Sequence, residues 1–416
     1  MTTTLPQLPF DRPGVLDIAP LYAQLRSRAP VTAVRTATGD PAWLVTGHAE
    51  CRALFADPRL GRSHPDPAHA ARLSGAALLG GPMGDPETEQ EQHATMRTLL
   101  APAFSARRMN RLRAHVDELV TAALDRLAAH GSPADLHELV SLPIPILVIC
   151  ELLGVPYADR DRFRAWSEGA GRLDDPQASQ RALYALVEYV KGLVERKRAE
   201  PGEDVLTDLA AAGPEHDWRS AGLAAAVLFA GHETTVTRID VGTVLLLHDP
   251  ARWTDLAADP DRVPATVEEI LRVAAPGGSG LPRYAHTDVE IAGVTLRAGD
   301  CVVLAPAAAN RDPRAFTAPE TFDPDRADGR AHLTFGYGPR FCIGASLARV
   351  ELQAVFTALP ARFPALRLDV PAEDLRLRAD LLTGGLDALP VAWDRAAAVR
   401  RRGGPRGRRD RPDADR

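Results

Sequence analysis

The hydrophobic pattern of the chain predicts a mainly α-helical protein with small β-sheets. Residues 31–36 alternate apolar and polar side chains as a strand does, and residues 42–46 read as the partner strand. Residues 108–200 instead carry apolar side chains at helical spacing and predict a series of amphipathic helices. Short apolar runs at 288–296 and 301–304 predict a hairpin and a further strand.

Two segments depart from this regular pattern. Residues 59–88 are rich in Gly, Pro and His, and they predict a long irregular segment of the kind that is often functional. Residues 396–416 are rich in Arg and poor in apolar side chains, which is typical of a disordered tail. The expected organisation is therefore a single domain over residues 1–395 followed by this tail.

The longest apolar run, residues 218–248, predicts a buried helix with an unusual middle. Gly231, Glu233 and Thr234 stand there together. A glycine costs about 1 kcal/mol against alanine in a helix interior, and a buried carboxylate needs partners or a shifted pKa. A threonine can also bond back to a carbonyl one turn earlier. Such a group marks either a functional site or a small-residue notch for a neighbouring helix.

Cys342 lies where a glycine-rich loop, residues 335–344 (FGYGPRFCIG), leads into an apolar helix. Backbone N–H groups at a helix N-terminus lack intrahelical partners and favour negative charge, so a thiolate is stabilised there. Glycines also let the backbone approach a large flat group. A thiolate shielded by Phe335 and Phe341 suits an axial ligand of iron, whereas the alternative is a buried, inert core cysteine.

Three further sets of charged residues are candidates for a site. His93 and Arg97 are four residues apart and share one helix face, which suits an anion or, alternatively, plain solvent. Glu269 and Arg272 are three apart and can pair on a helix, although surface pairs contribute only about 0–1 kcal/mol. Arg283 follows a flexible, glycine-rich stretch.

Composition narrows the class of protein. The 416-residue chain is 45% hydrophobic and has a net charge of −6, so no general attraction to nucleic acid is implied. Its four cysteines are scattered without a C-x-x-C pair, which fits a reducing cytoplasm. The N-terminus lacks the features of a signal peptide, and no apolar run reaches membrane-spanning length. We therefore expect a soluble, cytoplasmic protein.

The loop around Cys342 resembles the heme-binding loop of the cytochromes P-450, the heme-thiolate monooxygenases. The pattern of that family, Phe-Gly-x-Gly-x-Arg/His-x-Cys-x-Gly, is filled at every fixed position. Ala230, Gly231, Glu233 and Thr234 match its Ala/Gly-Gly-x-Asp/Glu-Thr signature. The resemblance covers about residues 10–395, with the motifs in the family's order. The chain is thus identified as a soluble, actinobacterial-type bacterial member.

The resemblance implies the P-450 fold, with heme b between the long oxygen-facing helix and the Cys342 loop. Cys342 would be the axial iron ligand, and His93, Arg97, Arg283 and Arg340 would hold the propionates. The implied cofactor contacts are His93, Arg97, Ala230, Gly231, Arg283, Phe335, Gly336, Arg340, Cys342 and Gly344. The implied substrate contacts are Gly277, Gly278, Ser279, Gly280, Leu281 and Leu386.

The resemblance also assigns roles to two residue pairs. Glu233 and Thr234 would act as an acid–alcohol pair that delivers protons during scission of the O–O bond, and Gly231 would make room for dioxygen. Glu269 and Arg272 would form a structural lock. Many members complete that lock with an Arg where this chain has Thr321, so that Arg326 or Arg311 is expected to substitute.

The implied reaction is hydroxylation or epoxidation of an organic substrate, with a secondary metabolite (polyketide or macrolide, terpene or peptide) as the expected class. Electrons would come from NAD(P)H through a separate ferredoxin and ferredoxin reductase, because no flavin domain follows, and the protein would be a monomer. The ferredoxin would dock on basic surface near Cys342 that includes Arg107 and Arg108. The alternatives are an oxidative-coupling or peroxide-using heme-thiolate enzyme, and a heme protein without catalysis.

Overall fold

The computed structural model describes residues 5–275 and 277–394, and these form the predicted helices and small sheets. The helices are α1 Pro20–Arg28, α2 His48–Ala56, α3 Glu89–Leu100, α4 Ala106–His130, α5 Pro143–Leu153, α6 Arg160–Ala170, α7 Pro176–Ala199, α8 Val205–Ala210, α9 Asp217–Leu247, α10 Pro250–Ala258, α11 Val263–Val273, α12 Pro306–Ala309 and α13 Ala345–Arg362. The strands are β1 Val31–Arg35, β2 Pro41–Val45, β3 Leu60–Gly61, β4 Ala134–Asp135, β5 Leu281–Ala285, β6 Val289–Ile291, β7 Val294–Leu296, β8 Cys301–Leu304, β9 Arg367–Leu368 and β10 Pro390–Ala392. The proposed tail, residues 396–416, lies outside the described residues, and the boundary at 395 stays a prediction.

The largest sheet has five strands in the order β1-β2-β8-β5-β3. The predicted pair β1 and β2 is antiparallel, with Val31 opposite Val45, and β2 then runs parallel to β8. The predicted hairpin is β6–β7, and β4, β10 and β9 form a third sheet. Strand β5 carries Arg283 in register with Val302 of β8, so the sheet fixes where this arginine leaves the backbone.

Helix α9 runs through the centre of the helical layer and packs against α5, α7 and α13. At about 1.5 Å per residue its 31 residues span about 46 Å. Helix α5 is apolar apart from Glu151, and nine of its eleven residues are buried. No helix in the described ranges is both long enough and apolar enough to cross a membrane.

Short polar residues begin the helices that frame the site. Ser105 accepts a hydrogen bond from the backbone N–H of Arg108 at the start of α4 (3.4 Å), and Asp175 accepts one from Ala178 at the start of α7 (2.8 Å). Each bond satisfies one of the donors that a helix N-terminus leaves without a partner. Helix α13 has Gly344 at this position and no side-chain cap, so its first turn is open toward Cys342.

Residues 59–88 are irregular, as predicted, apart from the short strand β3. The segment is tied to helix α7 by a hydrogen bond from Ala77 N to Ser179 Oγ (3.0 Å). The connection between α6 and α7 is in turn bonded to the C-terminal region, from Leu382 N to Gly171 O and from Leu173 N to Asp380 O (both 2.8 Å). These bonds bring three distant segments together on the same side of α9.

Candidate active site

The loop before α13 presents Cys342 on a tightly folded backbone. Gly336 and Gly338 have φ of +71° and +74°, the left-handed region that favours glycine. A Cβ on Gly338 would also lie 3.0 Å from the Cα of Ala56. The loop closes on itself through a hydrogen bond from Cys342 N to Phe335 O (2.9 Å).

Cys342 is the exposed cysteine of the described chain, whereas Cys51, Cys150 and Cys301 are buried. The alternative of an inert core cysteine is therefore wrong for Cys342.

The electrostatic surroundings of the Cys342 thiol are mixed. The protein around it is dense, so desolvation raises its pKa even though the residue has accessible surface. The backbone N–H of Gly344 and the guanidinium groups of Arg97 and Arg349 act in the opposite direction and lower that pKa. The predicted stabilisation by the helix N-terminus is thus present, but without a bound cation the thiol form is favoured.

Aromatic rings and an ion pair hold the loop in place. The rings of Phe335 and Phe341 meet edge to face with centroids 6.1 Å apart, and the Arg349 guanidinium lies 4.7 Å from the Phe335 centroid. Arg349 also makes two hydrogen bonds to Glu268 of α11 (2.6 and 2.9 Å). This pairing, together with His332, holds the pKa of Glu268 at about 2 despite its burial.

One stripe of α9 is accessible although the helix lies in the protein interior. Ala226, Ala230, Thr234 and Arg238 recur every four residues and retain accessible surface, while most of the remaining turns are buried. Residues four apart lie on one helix face, so these four side chains look in one direction. The Thr234 hydroxyl donates to Ala230 O (2.7 Å), as the sequence predicts for a mid-helix threonine.

Gly231 lies beside that stripe but has a packing role. A Cβ at this position would lie 2.8 Å from Cδ1 of Ile149 on α5. The glycine therefore allows α5 and α9 to approach closely, which is the small-residue notch that the sequence left open. A side chain at position 231 would point toward α5 and not along the accessible stripe. The structure therefore gives no support to the expectation that Gly231 makes room for dioxygen.

Glu233 is buried, and its Oε1 has no hydrogen-bond partner in the described protein. Burial and the nearby Glu168 raise the pKa of Glu233 to about 7, against a smaller opposing effect of Arg378, His137 and Arg164. His232 Nδ1 lies 3.4 Å from Glu233 Oε1, but burial lowers the pKa of His232 to about 3. Glu233 is thus a carboxyl group poised to hold or release a proton near neutral pH.

The four cations predicted for the propionates come together from four segments. Arg340, Arg97 and Arg283 all act on the pKa of His93, which burial and these charges lower. Arg97 also donates from Nη1 to Phe341 O (2.9 Å), so α3 is joined to the Cys342 loop. The structure therefore brings His93, Arg97, Arg283 and Arg340 into one cluster.

Two residues of this cluster escaped the sequence analysis. Arg62 contributes a further cation, and Glu89 forms an ion pair with Arg340 while accepting hydrogen bonds from the backbone of Arg62 and Ser63 (2.7 and 2.9 Å). Glu89 and Arg340 are 251 residues apart in the chain. No local pattern in the sequence could have indicated a pairing over this separation.

The cation cluster provides a test of whether the site suits heme. Burial, Arg62 and Arg340 lower the pKa of Arg283 to about 9, with Glu89 the sole carboxylate that opposes them. Four arginines and His93 thus share the single carboxylate of Glu89, and two propionates would supply most of the missing negative charge. Cys342 and the accessible stripe of α9 supply the ligand and a distal wall. The donor set fits a heme.

Comparison with known proteins identifies the family of the chain. A sequence profile described as Cytochrome P450 matches residues 261–373. The chain is 46% identical to pentalenolactone synthase of Streptomyces exfoliatus over 399 residues, which cover 94% of this chain and 99% of the relative. The chain belongs to the cytochrome P450 family. It is therefore a heme-thiolate oxidoreductase that uses heme b and incorporates oxygen from molecular oxygen.

Solved P450 structures share the whole fold. The substrate-free polyene macrolide antibiotic pimaricin epoxidase PimD is 44% identical, with a TM-score of 0.84 over 94% of this chain and 99% of that one. The mycinamicin VIII C21 methyl hydroxylase MycCI from Micromonospora griseorubida, bound to mycinamicin VIII, is 35% identical with a TM-score of 0.86 over 94% and 100% of the two chains. The predicted P450 fold is confirmed.

The loop predicted to line the substrate meets a C-terminal turn. Gly277 and Gly278 are exposed, and Ser279, Gly280 and Leu281 are partly buried. A Cβ on Gly277 would lie 2.7 Å from the Cα of Gly384, so the two segments are in close contact. Leu386, by contrast, has no accessible surface and packs in the main core. The prediction that Leu386 lines the pocket is not supported, because the turn directs this side chain inward.

The structural lock is buried and has three charged members. Arg272 makes two hydrogen bonds to Glu269 (2.8 and 2.7 Å), and both residues are about 1% exposed. Arg326 Nε donates to the same carboxylate (3.0 Å). Arg311 instead pairs with Glu320, so of the two candidates it is Arg326 that substitutes for the missing arginine. Because Glu269 and Arg272 are buried, the figure of about 0–1 kcal/mol for surface ion pairs does not apply to them.

Proposed function

We propose that this P450 monooxygenase oxidises a secondary metabolite, by hydroxylation or epoxidation, with electrons from a separate ferredoxin and ferredoxin reductase. The observation that carries the proposal is the joint presence of Cys342, the cation cluster and Glu233 beside Thr234 in a chain nearly half identical to pentalenolactone synthase. The named actions of PimD and MycCI, an epoxidation on a polyene macrolide antibiotic and a methyl hydroxylation on mycinamicin VIII, support the substrate class.

Each residue of the site then has a defined task. Cys342 would hold the heme iron, and the cation cluster would bind the two propionates. When bound, heme b supplies the iron at which dioxygen is reduced and one oxygen atom is passed to the substrate. Ala230 and Thr234 would line the distal side, and Phe335 and Gly344 would lie on the side of the thiolate.

Proton delivery would depend on Glu233 and Thr234. A carboxyl group with a pKa of about 7 is protonated in part of the molecules at neutral pH, and it would have to take up a new proton from solvent after each transfer. The Thr234 hydroxyl donates its proton to Ala230 O, so its lone pairs remain free to accept. To relay a proton, the hydroxyl would first turn its O–H from Ala230 O toward the distal cavity, then release that proton there and take up another through a lone pair.

Electrons would enter on the side of Cys342. Arg107 is exposed near the start of α4, and Phe104 of the preceding turn lies 4.0 Å from where a Cβ on Gly344 would be. Arg108 is partly buried and donates to Glu203 O (2.6 Å), which leaves Arg107 as the better contact for an acidic ferredoxin. Charge reversal in Arg107→Glu should slow reduction by ferredoxin, while an unchanged rate would argue against this surface.

The first experiment is the absorption spectrum of the reduced protein with carbon monoxide. A strongly red-shifted Soret band is expected for thiolate-ligated heme, and a band typical of His-ligated heme would contradict the assignment of Cys342. Substrate-dependent consumption of reductant with dioxygen would then separate a monooxygenase from a heme protein without catalysis. Turnover with peroxide but not with reductant would favour the peroxide-using alternative.

A further inference from the structure

Arg238 is a cation on the accessible stripe of α9, and neither the heme-binding nor the proton-delivery role described above involves it. It follows Thr234 by four residues and therefore lies one turn along the same helix face. The side chain retains accessible surface, yet desolvation by the surrounding protein lowers its pKa to about 10. Cys342 shows the same combination of accessible surface and desolvation. Both side chains thus face interior space rather than bulk solvent.

Arg238 has no counter-ion within residues 5–275 and 277–394. Its Nη1 donates to Ala274 O (2.8 Å), and burial is the one influence on its pKa. The other guanidinium nitrogens are not enclosed by protein atoms. A charge that is removed from water without a partner is costly, so such groups are usually paired. The fold therefore holds a guanidinium ready for an anion that the chain does not supply.

The propionate cluster does not account for this cation. Arg283 is influenced by Arg62, Arg340 and Glu89, and none of these acts on Arg238. The two propionates are already matched by the five cation-capable groups of that cluster. The Arg238 guanidinium is instead hydrogen-bonded to Ala274 O, three residues before the 277–281 loop that the family resemblance implies for the substrate.

We propose that Arg238 is a carboxylate-binding residue of the substrate pocket, and that the natural substrate carries a carboxylate group. The proposal rests on the proposed function of the site as a monooxygenase. A guanidinium offers a planar fork of donors that fits a carboxylate with two parallel hydrogen bonds. The anchor at Ala274 leaves one edge of the fork for the ligand. A carboxylate bound to Arg238 would lie one helical turn from Thr234. This contact would orient the rest of the substrate along α9.

Matched acid and ester probes test the proposal in the heme-loaded protein. We would titrate abietic acid against methyl abietate, and decanoic acid against methyl decanoate, and follow binding by the difference spectrum of the ferric heme. The wild-type protein should bind at least one acid about tenfold or more tightly than its ester. Arg238→Met should remove this preference, and Arg238→Lys should retain part of it. Arg219→Met removes the same charge from an exposed position of α9 and should leave the preference unchanged.

The other results would overturn the proposal. The proposal is contradicted if the wild-type protein binds acids and esters equally. It is also contradicted if the protein binds esters only or binds none of the probes. A loss of heme in Arg238→Met with an intact acid preference would assign the guanidinium to a heme carboxylate instead. Heme content per protein therefore has to be measured for every variant.

Thermal unfolding distinguishes a ligand-binding arginine from a structural one. Because Met of similar length replaces an unpaired buried charge, Arg238→Met should unfold at the same or a higher temperature without ligand. A clear loss of stability would show that the bond to Ala274 is structural and would contradict the proposal. The carbon monoxide spectrum of the wild-type protein separates the two hypotheses: with the thiolate signature present and no acid preference, only the carboxylate proposal fails.

Discussion

Arg326 donates from Nε to the carboxylate of Glu269 across 57 residues of sequence, at a distance of 3.0 Å. This contact completes the buried pair of Glu269 and Arg272 where the chain has Thr321 in place of an arginine. Arg326 also donates to the carbonyl oxygens of Thr317 (3.0 Å) and Thr321 (2.9 Å), so one guanidinium joins the lock to the irregular segment before the Cys342 loop.

Replacement of Arg326 should destabilise the fold. Arg326→Gln leaves part of a buried carboxylate and several carbonyl groups without donors, and we expect a loss of about 3 kcal/mol in the free energy of unfolding. Urea denaturation measures it. Arg330→Gln, an exposed position of the same segment, is the matched control and should change stability by less than about 0.5 kcal/mol. A loss equal to that of the control would mean that Arg326 is not part of the lock.

Glu233 should make the stability of the heme-free protein depend on pH. Burial raises the pKa of its carboxyl group from 4.5 to about 7, so the folded state binds this proton more tightly than the unfolded state. The contribution to stability is therefore complete below about pH 4.5 and is lost as the pH rises to about 7. Since one pKa unit corresponds to about 1.4 kcal/mol, the loss is roughly 3 kcal/mol.

The comparison with Glu233→Gln isolates this effect from the charged and titratable groups around it, which include His232, Glu168, His137, Arg378 and Arg164. The variant should lack the decline and should be the more stable protein at pH 8. Parallel stability curves for the variant and the wild-type protein between pH 4.5 and 8 would refute the raised pKa.

Thr234 should control how electrons are used. Thr234→Ala removes the hydroxyl that lies on the accessible stripe of α9, so proton delivery slows and electrons are diverted to hydrogen peroxide. We expect several-fold more peroxide per reductant consumed, with less product. Thr234→Ser keeps the hydroxyl and should restore most of the coupling. Unchanged coupling in the alanine variant would count against the role of Thr234.

Gly231 and Ile149 should be energetically coupled. Gly231→Ala places a Cβ 2.8 Å from the Ile149 side chain, and the overpacking should cost about 1–3 kcal/mol against the gain in helix propensity. Ile149→Ala in the same protein relieves the clash. The double-mutant cycle should therefore give a coupling energy above about 0.5 kcal/mol. Additive effects of the two substitutions would show that the glycine is not needed for packing.

Local patterns in the sequence predicted most of the fold. The alternation at residues 31–36 and 42–46, the run at 218–248 and the glycine-rich loop before α13 correspond to β1, β2, α9 and the Cys342 loop. These features are local, because the periodicity of side chains follows from strand and helix geometry and the loop needs only its glycines. The Thr234 hydroxyl bond to Ala230 likewise follows from one turn of helix.

Tertiary structure decided the rest, because it depends on which distant segments meet. Only packing determined that Arg326 rather than Arg311 reaches Glu269, and that Glu89 pairs with Arg340. The inward direction of Leu386 is a second example. The most informative case is Arg238: the sequence shows an arginine on an apolar helix, but whether a charge is buried, and whether any carboxylate lies near it, depends on how all the surrounding elements fold around that position.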